Sequence, residues 1–544
     1  MSKAVKARLG KGKSVVLGEA STALREFCAE FPSLACFPMG AVLKPNQDET
    51  IPRDQLEWRP TSDHTKTGFN AATVLGILGH SLNTYKEVEW LLKQDYFMRV
   101  SDVEDAFMLI PLHPDVWLYM LFRWSIEGPD APEQLLMHLF GDFGTRGMPG
   151  TFQLFLVRVV VQMARSELIL TLPMTIFVDD AGLIGPQADH ADDEMVQFQD
   201  WSKTVCGVSW KVAKDRLAAT PQYYIGFWWD SRNLTRSLSE VKLAKYLAVI
   251  LEASLSRCLT LQYRQSLAGK VQRAIMTLPP GAACLLVNCY RMMSGLTLPW
   301  HARRTSRAER EDYRFIHGCL SYIEGKGYYS YDGHPEGPTV LSDASKSRRV
   351  TDGGYCESWG FYDWFHFGTS AARHPIDELE GETVLVACRE RGHTWRGFRI
   401  PFGIDNQAFE RSAEKGRASV ERLNQLLKEL FVLQIRFGFI LQPFWICSED
   451  NFLPDHLSRA REAEFLKALA NCDFLVVPFS EIKRHPDAGR VHTFSSSPEP
   501  GMAALRQLLE NWLSCQAMRN MLRPSRSQPE KLGLHSRQRA NGTS

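Results

Sequence analysis

Residues 175–185, TIFVDDAGLIG, place two adjacent carboxylates inside an apolar run that ends in glycine. Neighbouring carboxylates repel each other, and their removal from water is costly unless a cation or hydrogen bonds compensate. Two interpretations fit Asp179 and Asp180. The pair is either the polar turn of a hairpin, where Asp is common, or a metal-binding turn that needs a third carboxylate from elsewhere in the chain.

The composition is that of an ordinary globular protein. The 544 residues are 44% hydrophobic and 23% charged, and this length suggests roughly three or four domains. The 63 Lys and Arg side chains nearly balance the 62 Asp and Glu side chains, so the net charge of +1 gives no overall indication of nucleic-acid binding. Basic residues are concentrated in 1–13 and 516–544. Each end is either a phosphate-binding tail or a solvated, disordered one.

The cysteines and the apolar runs indicate the cellular compartment of the protein. The 12 cysteines are scattered without the spacing of a zinc site, which is typical of reduced thiols in an intracellular protein. No apolar run approaches the roughly 18 residues of a membrane span, and the N-terminus lacks an apolar signal-peptide core. We therefore expect an intracellular protein of the cytoplasm or nucleus with no membrane partner. The oligomeric state stays open.

The first half of the chain predicts an α+β layer. Residues 96–104 have the pattern of a strand, and two apolar segments around the Gly/Pro loop 125–134 indicate a hairpin. Residues 151–168 carry apolar side chains at helical spacing and precede the strand–turn–strand at 175–185. Strands that alternate with a helix in this way form a mixed layer.

From residue 237 the pattern becomes helical and then changes again. Ser237-x-x-Glu240 predicts a capping box at the start of the first helix. A Gly/Pro-rich stretch near 328–338 marks a boundary, and strands and helices alternate beyond it as in a second α/β domain. Residues 490–503 and about the last 30 have the composition of disordered segments.

A third carboxylate stands at the end of the predicted strand 96–104. Asp102 precedes Asp179 by 77 residues (179 − 102) and could meet the turn there. Nucleotidyl transfer uses two divalent ions a few Å apart, and carboxylate oxygens are the ligands that hold such ions. The spacing therefore favours the metal-binding interpretation.

Three segments in this region resemble motifs of retroelement reverse transcriptases, in the family's order and at about its spacing. They are SDVEDAFMLIPLHPD at 101–115, FGTRGMPGTF at 143–152 and FVDD at 177–180. The resemblance implies that Asp102, Asp179 and Asp180 are catalytic metal ligands. It also implies a nucleotide pocket that contains Phe107, Phe143, Gly144 and Pro149, in which Phe107 blocks a ribose 2′-hydroxyl.

Flanking segments extend the resemblance. WRPTSDHTKTGFN at 58–70 is similar to the fingers segment, with Arg59 in the place of the arginine that grips the triphosphate, and Lys44 resembles its companion lysine. In the segment that leads to the primer grip, Lys214 is a candidate proton donor to pyrophosphate. LTLQYRQSLAGKVQRAIMTLPPG at 259–281 closely resembles the thumb of DIRS-like retrotransposons.

The second α/β region resembles the ribonuclease H domain of the same family. VLSDAS, ELEGETVLVA, GIDNQA and EDNFLPDHLSR occupy the places of its four acidic motifs. The ligands implied are Asp343, Glu380, Asp405 and Asp455. Helical geometry predicts that Glu380 faces the sheet, whereas Glu378 and Glu382, two residues away on either side, face solvent.

The resemblance implies a right-hand polymerase of fingers, palm and helical thumb, followed by an α/β ribonuclease H-like domain. The expected cofactor is Mg²⁺, two ions per active site, with Mn²⁺ as an alternative. The expected partners are an RNA template, a DNA primer, an RNA–DNA hybrid and deoxynucleoside triphosphates. The predicted parts are a basic extension (1–37), fingers and palm (38–232), thumb (233–327), ribonuclease H (336–460) and a partly disordered C-terminal extension (461–544).

Two departures and two rival functions accompany this assignment. Asp142 stands where the family usually has proline, which would loosen the pocket, and Gly381 costs a helix roughly 1 kcal/mol against alanine.

An RNA-dependent RNA polymerase shares the double-Asp turn, but Phe107 and a fused ribonuclease H argue against it. A decayed or domesticated copy that binds nucleic acid without catalysis stays open.

Overall fold

Helices and sheets are mixed throughout the chain, as the sequence pattern predicts. The structure is a computed structural model that describes residues 2–31, 35–43, 58–74, 84–128, 130–331, 333–346 and 351–492. The chain divides into two units, Met1–Arg236 and Ser237–Ser544. Within the described ranges, no helix combines the length and apolarity that crossing a membrane requires.

The first unit contains twelve described strands and eight described α-helices. The strands are β1 (Ser14–Glu19), β2 (Met39–Leu43), β3 (Trp58–Ser62), β4 (Phe97–Asp102), β5 (Leu121–Trp124), β6 (Gln134–His138), β7 (Met174–Phe177), β8 (Asp180–Gly185), β9 (Arg216–Ala219), β10 (Gln222–Tyr224), β11 (Phe227–Asp230) and β12 (Thr235–Ser237). The helices are α1 (Ser2–Gly10), α2 (Ala20–Glu30), α3 (Phe69–Ala72), α4 (Thr84–Leu91), α5 (Pro114–Trp117), α6 (Met148–Leu154), α7 (Val161–Ser166) and α8 (Ala188–Cys206).

A four-stranded antiparallel sheet, in the order β7-β8-β4-β9, carries the predicted strand–turn–strand. The predicted helix 151–168 is present as α6 and α7, joined by the π-helical segment Phe155–Val160. Phe152, Leu156, Val160 and Ala164 are its fully buried side chains, four residues apart. The wider π turn explains this spacing and leaves Val159 on the exposed side.

The predicted hairpin is present as β5 and β6, and β1 extends it into a three-stranded sheet. Its apolar side chains pack against α1 and α2 on either side, with Leu121, Phe122, Leu135 and Leu136 fully buried. Residues of the basic N-terminal segment therefore pack against this sheet as helix α1. They do not form a detached tail.

The second unit contains ten described strands and nine described α-helices. The strands are β13 (Cys258–Thr260), β14 (Ala302–Arg304), β15 (Lys326–Tyr328), β16 (Val340–Lys346), β17 (Thr351–Glu357), β18 (Phe361–Phe367), β19 (Arg399–Ile404), β20 (Ile440–Trp445), β21 (Lys483–Arg484) and β22 (Val491–His492). The helices are α9 (Glu240–Leu255), α10 (Leu261–Ala274), α11 (Val287–Met293), α12 (Arg307–Tyr322), α13 (Ile376–Arg391), α14 (Gln407–Lys415), α15 (Glu421–Phe437), α16 (Phe452–Ser458) and α17 (Glu462–Leu469).

The helical region from 237 is confirmed, but its predicted capping box is wrong. Helix α9 begins at Glu240 after Ser239, and Ser237 belongs to strand β12. A residue fixed in a strand is not free to cap a helix that starts three positions later. A buried ion pair joins two of the helices, because Arg264 Nε lies 2.9 Å from Glu309 Oε1 and both side chains are inaccessible to solvent.

Beyond this region a seven-stranded sheet has the order β20-β19-β16-β17-β18-β21, and β22 pairs with β18. Strands β16, β17 and β18 are antiparallel, whereas β19 runs parallel to both β16 and β20. The predicted disorder is wrong at residues 490–492, since β22 lies there. Residues 493–544 lie outside the described residues.

Gly381 has a packing reason for its place inside α13. A Cβ atom built there would lie 2.5 Å from the ring of Phe409 and 2.8 Å from a methyl group of Leu426. No larger residue fits, so the close approach of these two neighbours offsets the poor helix propensity of glycine.

Candidate active sites

Three carboxylates meet at one edge of the seven-stranded sheet. Asp343 lies on β16, Asp405 directly follows β19, and the parallel register pairs the residues before them, Ser342 with Ile404. Glu380 comes from the first half of α13. One oxygen of each carboxylate lies within 4.8 Å of the others, and we call this group the sheet-edge cluster.

Burial and mutual repulsion disfavour the charged forms of the sheet-edge cluster. Burial, with smaller contributions from Asp405 and Asp455, raises the pKa of Asp343 to about 7 against a hydrogen bond from the Ser458 hydroxyl. Burial and the neighbouring Asp343 and Asp405 raise the pKa of Glu380 well above its usual range. These are the conditions that a bound cation relieves.

The hydrogen bonds of Glu380 also fit a cation. Its Oε1 accepts a 3.0 Å hydrogen bond from the backbone N–H of Ala344, whereas its buried Oε2 accepts none. An unsatisfied carboxylate oxygen in a buried site is rare and costly. Hard oxygen ligands in this arrangement suit Mg²⁺.

Asp455, the fourth predicted ligand, lines the same cavity of about 710 Å³ but lies outside the three-carboxylate group. Its Oδ1 is held by Arg459, whose Nη2 is 2.7 Å away. Basic side chains of Lys346, Arg459 and Arg461 also line the cavity. They supply positive charge beside the carboxylates.

The other predicted carboxylates lie at the β7–β8 hairpin and at the end of β4; we call Asp102, Asp179 and Asp180 the hairpin cluster. Antiparallel pairing sets Asp102 opposite Asp180. The carbonyl of Asp179 accepts a 2.9 Å hydrogen bond from the N–H of Val103, which ties the turn to the end of β4. Val178 enters this turn with φ of +58°, a strained value for a β-branched residue.

Two lysines balance the charge of the hairpin cluster. Lys211 Nζ is 3.1 Å from Asp102 Oδ1, and Lys214 Nζ is 2.9 Å from Asp102 Oδ2. Burial, followed by repulsion from the neighbouring carboxylates, raises the pKa of Asp180 to about 6 and also raises that of Asp179. Among the described residues, only the sheet-edge cluster brings three ligand atoms within 4.8 Å of one another, so the hairpin carboxylates are neighbours without that convergence.

Lys211 is a site residue that the sequence reasoning missed. The signal was its position three residues before Lys214, just upstream of the segment that resembles the approach to the primer grip. The predicted Lys214 lies in the hairpin cluster, where its ammonium group contacts the carboxylate of Asp102.

Two of the four predicted nucleotide-pocket residues, Phe107 and Phe143, pack against each other. Phe107 is buried, with its ring 4.7 Å from that of Phe143 and 6.2 Å from that of Phe152. Gly144 has φ of +114°, and a Cβ atom there would lie 2.0 Å from the carbonyl oxygen of Ser62, so only glycine fits. Pro149 lies in the first turn of α6, where its missing N–H costs nothing.

The two fingers residues are described only in part. Arg59 lies on β3 and pairs with Val42 of β2, while its side chain lies outside what the structure describes. Lys44 lies outside the described residues.

Asp142 is held in a buried polar cluster. Its carboxylate accepts a hydrogen bond from Ser62, and it lies 3.5 Å from Arg8, 3.5 Å from His138 and 3.6 Å from His64. Burial alone would raise its pKa, but these partners lower the pKa to about 2. The charged Asp142 is therefore fixed by contacts on several elements.

The prediction that Glu378 and Glu382 face solvent is wrong. Glu382 is fully buried, with Arg389 Nη1 at 3.0 Å, His492 Nε2 at 3.1 Å and Arg422 Nη2 at 3.6 Å. Glu378 is also buried and contacts His374 at 2.7 Å. Helix α13 packs against α15 and against strands of the sheet, and Glu382 contacts Arg422 of α15 and His492 of β22, so the helix has no solvated face at these positions.

No protein-family model and no curated protein matches this chain. Among solved structures, it is similar to the foamy viral protease-reverse transcriptase dRH in complex with double-stranded DNA (14% identity, 81% of this chain and 68% of that chain, TM-score 0.44). It is also similar to the foamy viral protease-reverse transcriptase in complex with RNA/DNA hybrid (14% identity, 91% of this chain and 55% of that chain, TM-score 0.43). A third similar structure is the same protein in complex with double-stranded DNA (13% identity, 82% of this chain and 82% of that chain, TM-score 0.41). Likeness at this level carries no argument about the activity of this chain, which its own residues have to support.

Proposed function

We propose that the chain is an RNA-directed DNA polymerase with ribonuclease H activity, built as a right-hand polymerase followed by a ribonuclease H-like domain. The observation that carries the proposal is the convergence of Asp343, Glu380 and Asp405, three residues chosen from sequence motifs far apart in the chain. The order and spacing of the motifs around Asp102 and Asp179 support the polymerase half. DIRS-like elements are the retroelements that the thumb segment favours.

In the nuclease centre, the sheet-edge cluster would hold Mg²⁺. The ion supplies activation of a water molecule and stabilisation of the leaving oxygen. Ser458 orients Asp343 by donating a hydrogen bond to Oδ2, and the Ala344 N–H fixes Glu380. Lys346 and Arg461 line the cavity, where they attract the phosphodiester backbone of a hybrid.

In the polymerase centre, Asp102 and Asp179 would hold the ions, with Asp180 beside them. When bound, such ions would supply activation of the primer hydroxyl and stabilisation of pyrophosphate. Lys211 and Lys214 neutralise Asp102, and Lys214 lies where it can deliver a proton within the same centre. The packing of Phe107 against Phe143 supports a rigid aromatic wall in the nucleotide pocket.

The test separates the two centres. Asp179→Asn should abolish primer extension on an RNA template while hybrid cleavage continues, and Glu380→Gln should do the reverse. Glu464→Gln, at an exposed position on α17, is the matched control for both assays. Cleavage at the parent rate by Glu380→Gln, or loss of both activities in either variant, would refute the two-centre assignment.

A nucleic-acid-binding protein without polymerase activity is the second candidate. The observation that favours it is the ion pairing of Asp102 with two lysines while the hairpin carboxylates do not converge. Retention of a hybrid by a parent protein that neither extends primers nor cleaves would select this candidate.

A further inference from the structure

A carboxylate–imidazole pair lies in the nuclease cavity and has no role in the centre described above. Asp352 of β17 and His366 of β18 are cross-strand neighbours, and His366 Nδ1 lies 2.7 Å from Asp352 Oδ1. Both residues line the cavity of about 710 Å³ that also contains Asp343, Glu380 and Asp405. The pair stands on different strands from the metal-binding carboxylates.

The burial of the two partners differs in a way that directs the imidazole. Asp352 is buried, with 4% of its surface exposed, whereas 38% of the His366 side chain is exposed. Burial raises the pKa of Asp352 and the hydrogen bond from His366 opposes that rise, so the imidazole is the group that compensates this carboxylate. The buried Asp352 carboxylate therefore fixes the orientation of the imidazole through Nδ1, on the ring's buried side.

The other ring nitrogen is left for a ligand. With Nδ1 engaged by Asp352 and the ring packed edge-to-face against Trp364 at 5.3 Å, Nε2 is the remaining polar atom of the ring. Among the described residues, Nε2 has no hydrogen-bond or ion-pair partner. With Nδ1–H donating to the Asp352 carboxylate, Nε2 carries a proton of its own in the imidazolium form of the ring, the form in which both nitrogens donate and face anions.

We propose that His366 is a substrate-binding residue of the nuclease centre, whose imidazolium form donates a hydrogen bond from Nε2 to a backbone phosphate of a bound RNA–DNA hybrid. Asp352 is its positioning residue. Lys346 and Arg461, which line the same cavity, give this side the positive charge that a phosphate requires. The proposal rests on the proposed nuclease function, because it gives that cavity its substrate.

The experiment measures affinity separately from cleavage. A labelled RNA–DNA hybrid is titrated by fluorescence anisotropy against the full chain carrying Glu380→Gln, with and without His366→Ala. We expect Kd to rise roughly tenfold, the loss expected for one charge-assisted hydrogen bond. The slope of log Kd against log salt should fall by about one, as for the removal of one phosphate contact.

Matched variants separate binding from a structural role. His393→Ala removes an exposed imidazole outside the cavity and should leave Kd and the salt slope unchanged. His366→Gln keeps an N–H donor and should recover part of the affinity, whereas Asp352→Asn should weaken binding less than His366→Ala. In the otherwise unaltered chain, His366→Ala should raise KM for the hybrid more than it lowers kcat, with DNA synthesis unchanged.

The outcomes distinguish the two proposals. An unchanged Kd and salt slope in His366→Ala would overturn the role of His366 whether or not the parent cleaves hybrids. A fall in kcat at constant KM would also overturn it, because that result assigns His366 to the chemical step. A parent that fails to cleave, together with weaker binding by His366→Ala, would refute the nuclease function and retain the phosphate contact.

Discussion

Two glutamates separated by one residue on helix α13 should respond in opposite directions to the same substitution. Glu382 is a fully buried carboxylate with two arginines and a histidine as neighbours, and its pKa is lowered by His492 and Arg389 in spite of burial. Removal of one partner from a buried ion pair costs about 3–5 kcal/mol. Glutamine keeps an acceptor oxygen, so we expect Glu382→Gln to lower the free energy of unfolding by about 2–4 kcal/mol.

Glu380 is surrounded by like charges. Its oxygens lie beside Asp343 and Asp405, and one of them accepts no hydrogen bond. In the absence of a divalent ion, Glu380→Gln removes repulsion and should leave stability unchanged or raise it. In Mg²⁺ at ten times its Kd, ion binding should raise the free energy of unfolding of the parent by about 1.4 kcal/mol. Glu380→Gln lacks this ligand and should not show the increase.

Thermal unfolding of the full chain in EDTA and in Mg²⁺ measures both effects. For a unit of this size, about 2–4 °C corresponds to 1 kcal/mol, so Glu382→Gln should lower the transition of the second unit by roughly 4–16 °C in both buffers. The exposed Glu464→Gln is the control. A Glu382→Gln transition at the parent temperature, or a Glu380→Gln transition lowered in EDTA, would refute this account of the two charges.

Two further results are expected in the first unit. Phe107→Val should raise ribonucleotide incorporation relative to deoxynucleotide incorporation in a competition assay, since Phe107 is fixed by Phe143 and cannot turn away; an unchanged ratio would place the sugar gate elsewhere. Burial lowers the pKa of His138 from 6.5 to about 4, so the unfolded chain binds the proton first as pH falls. Stability that is complete above pH 6.5 should therefore decline by about 3 kcal/mol towards pH 4, measured as faster hydrogen exchange in β6, and His138→Gln should lose this dependence.

The sequence predicted the elements that carry the sites because the signals are local. Apolar runs interrupted or ended by carboxylates predicted β4 and β8, and the alternating strand and helix patterns beyond residue 338 predicted the α/β region that contains β16 and α13. Strand pairing then brings Asp102 to Asp180 and Asp343 to Asp405, as strand-end positions require.

Long-range contacts set what could not be predicted. Helical geometry turns Glu382 away from Glu380, but Arg422 and His492, 40 and 110 residues later (422 − 382 and 492 − 382), cover it, and His492 belongs to β22 of the sheet itself. In the same way, Arg8 contacts Asp142 across 134 positions (142 − 8). The sequence predicted that Asp142, in place of the usual proline, would loosen the pocket, whereas this contact helps to hold the residue in place. Periodicity within one segment gives the direction of a side chain and cannot give the element that later covers it.

The two carboxylate clusters balance their charge by different means, and this difference orders their need for a cation. Asp102 has an ammonium group on each oxygen, both from the short segment that follows α8. The sheet-edge cluster has one backbone N–H and two hydroxyls, those of Ser448 and Ser458, against three carboxylates, and Glu380 keeps a buried oxygen without a donor. Since an uncompensated buried carboxylate is unstable in its charged form, the sheet-edge cluster gains more from a divalent ion than the hairpin cluster does. In the hairpin cluster, Lys211 and Lys214 already contact the two oxygens of Asp102. These ammonium groups must move away before an ion can bind both oxygens.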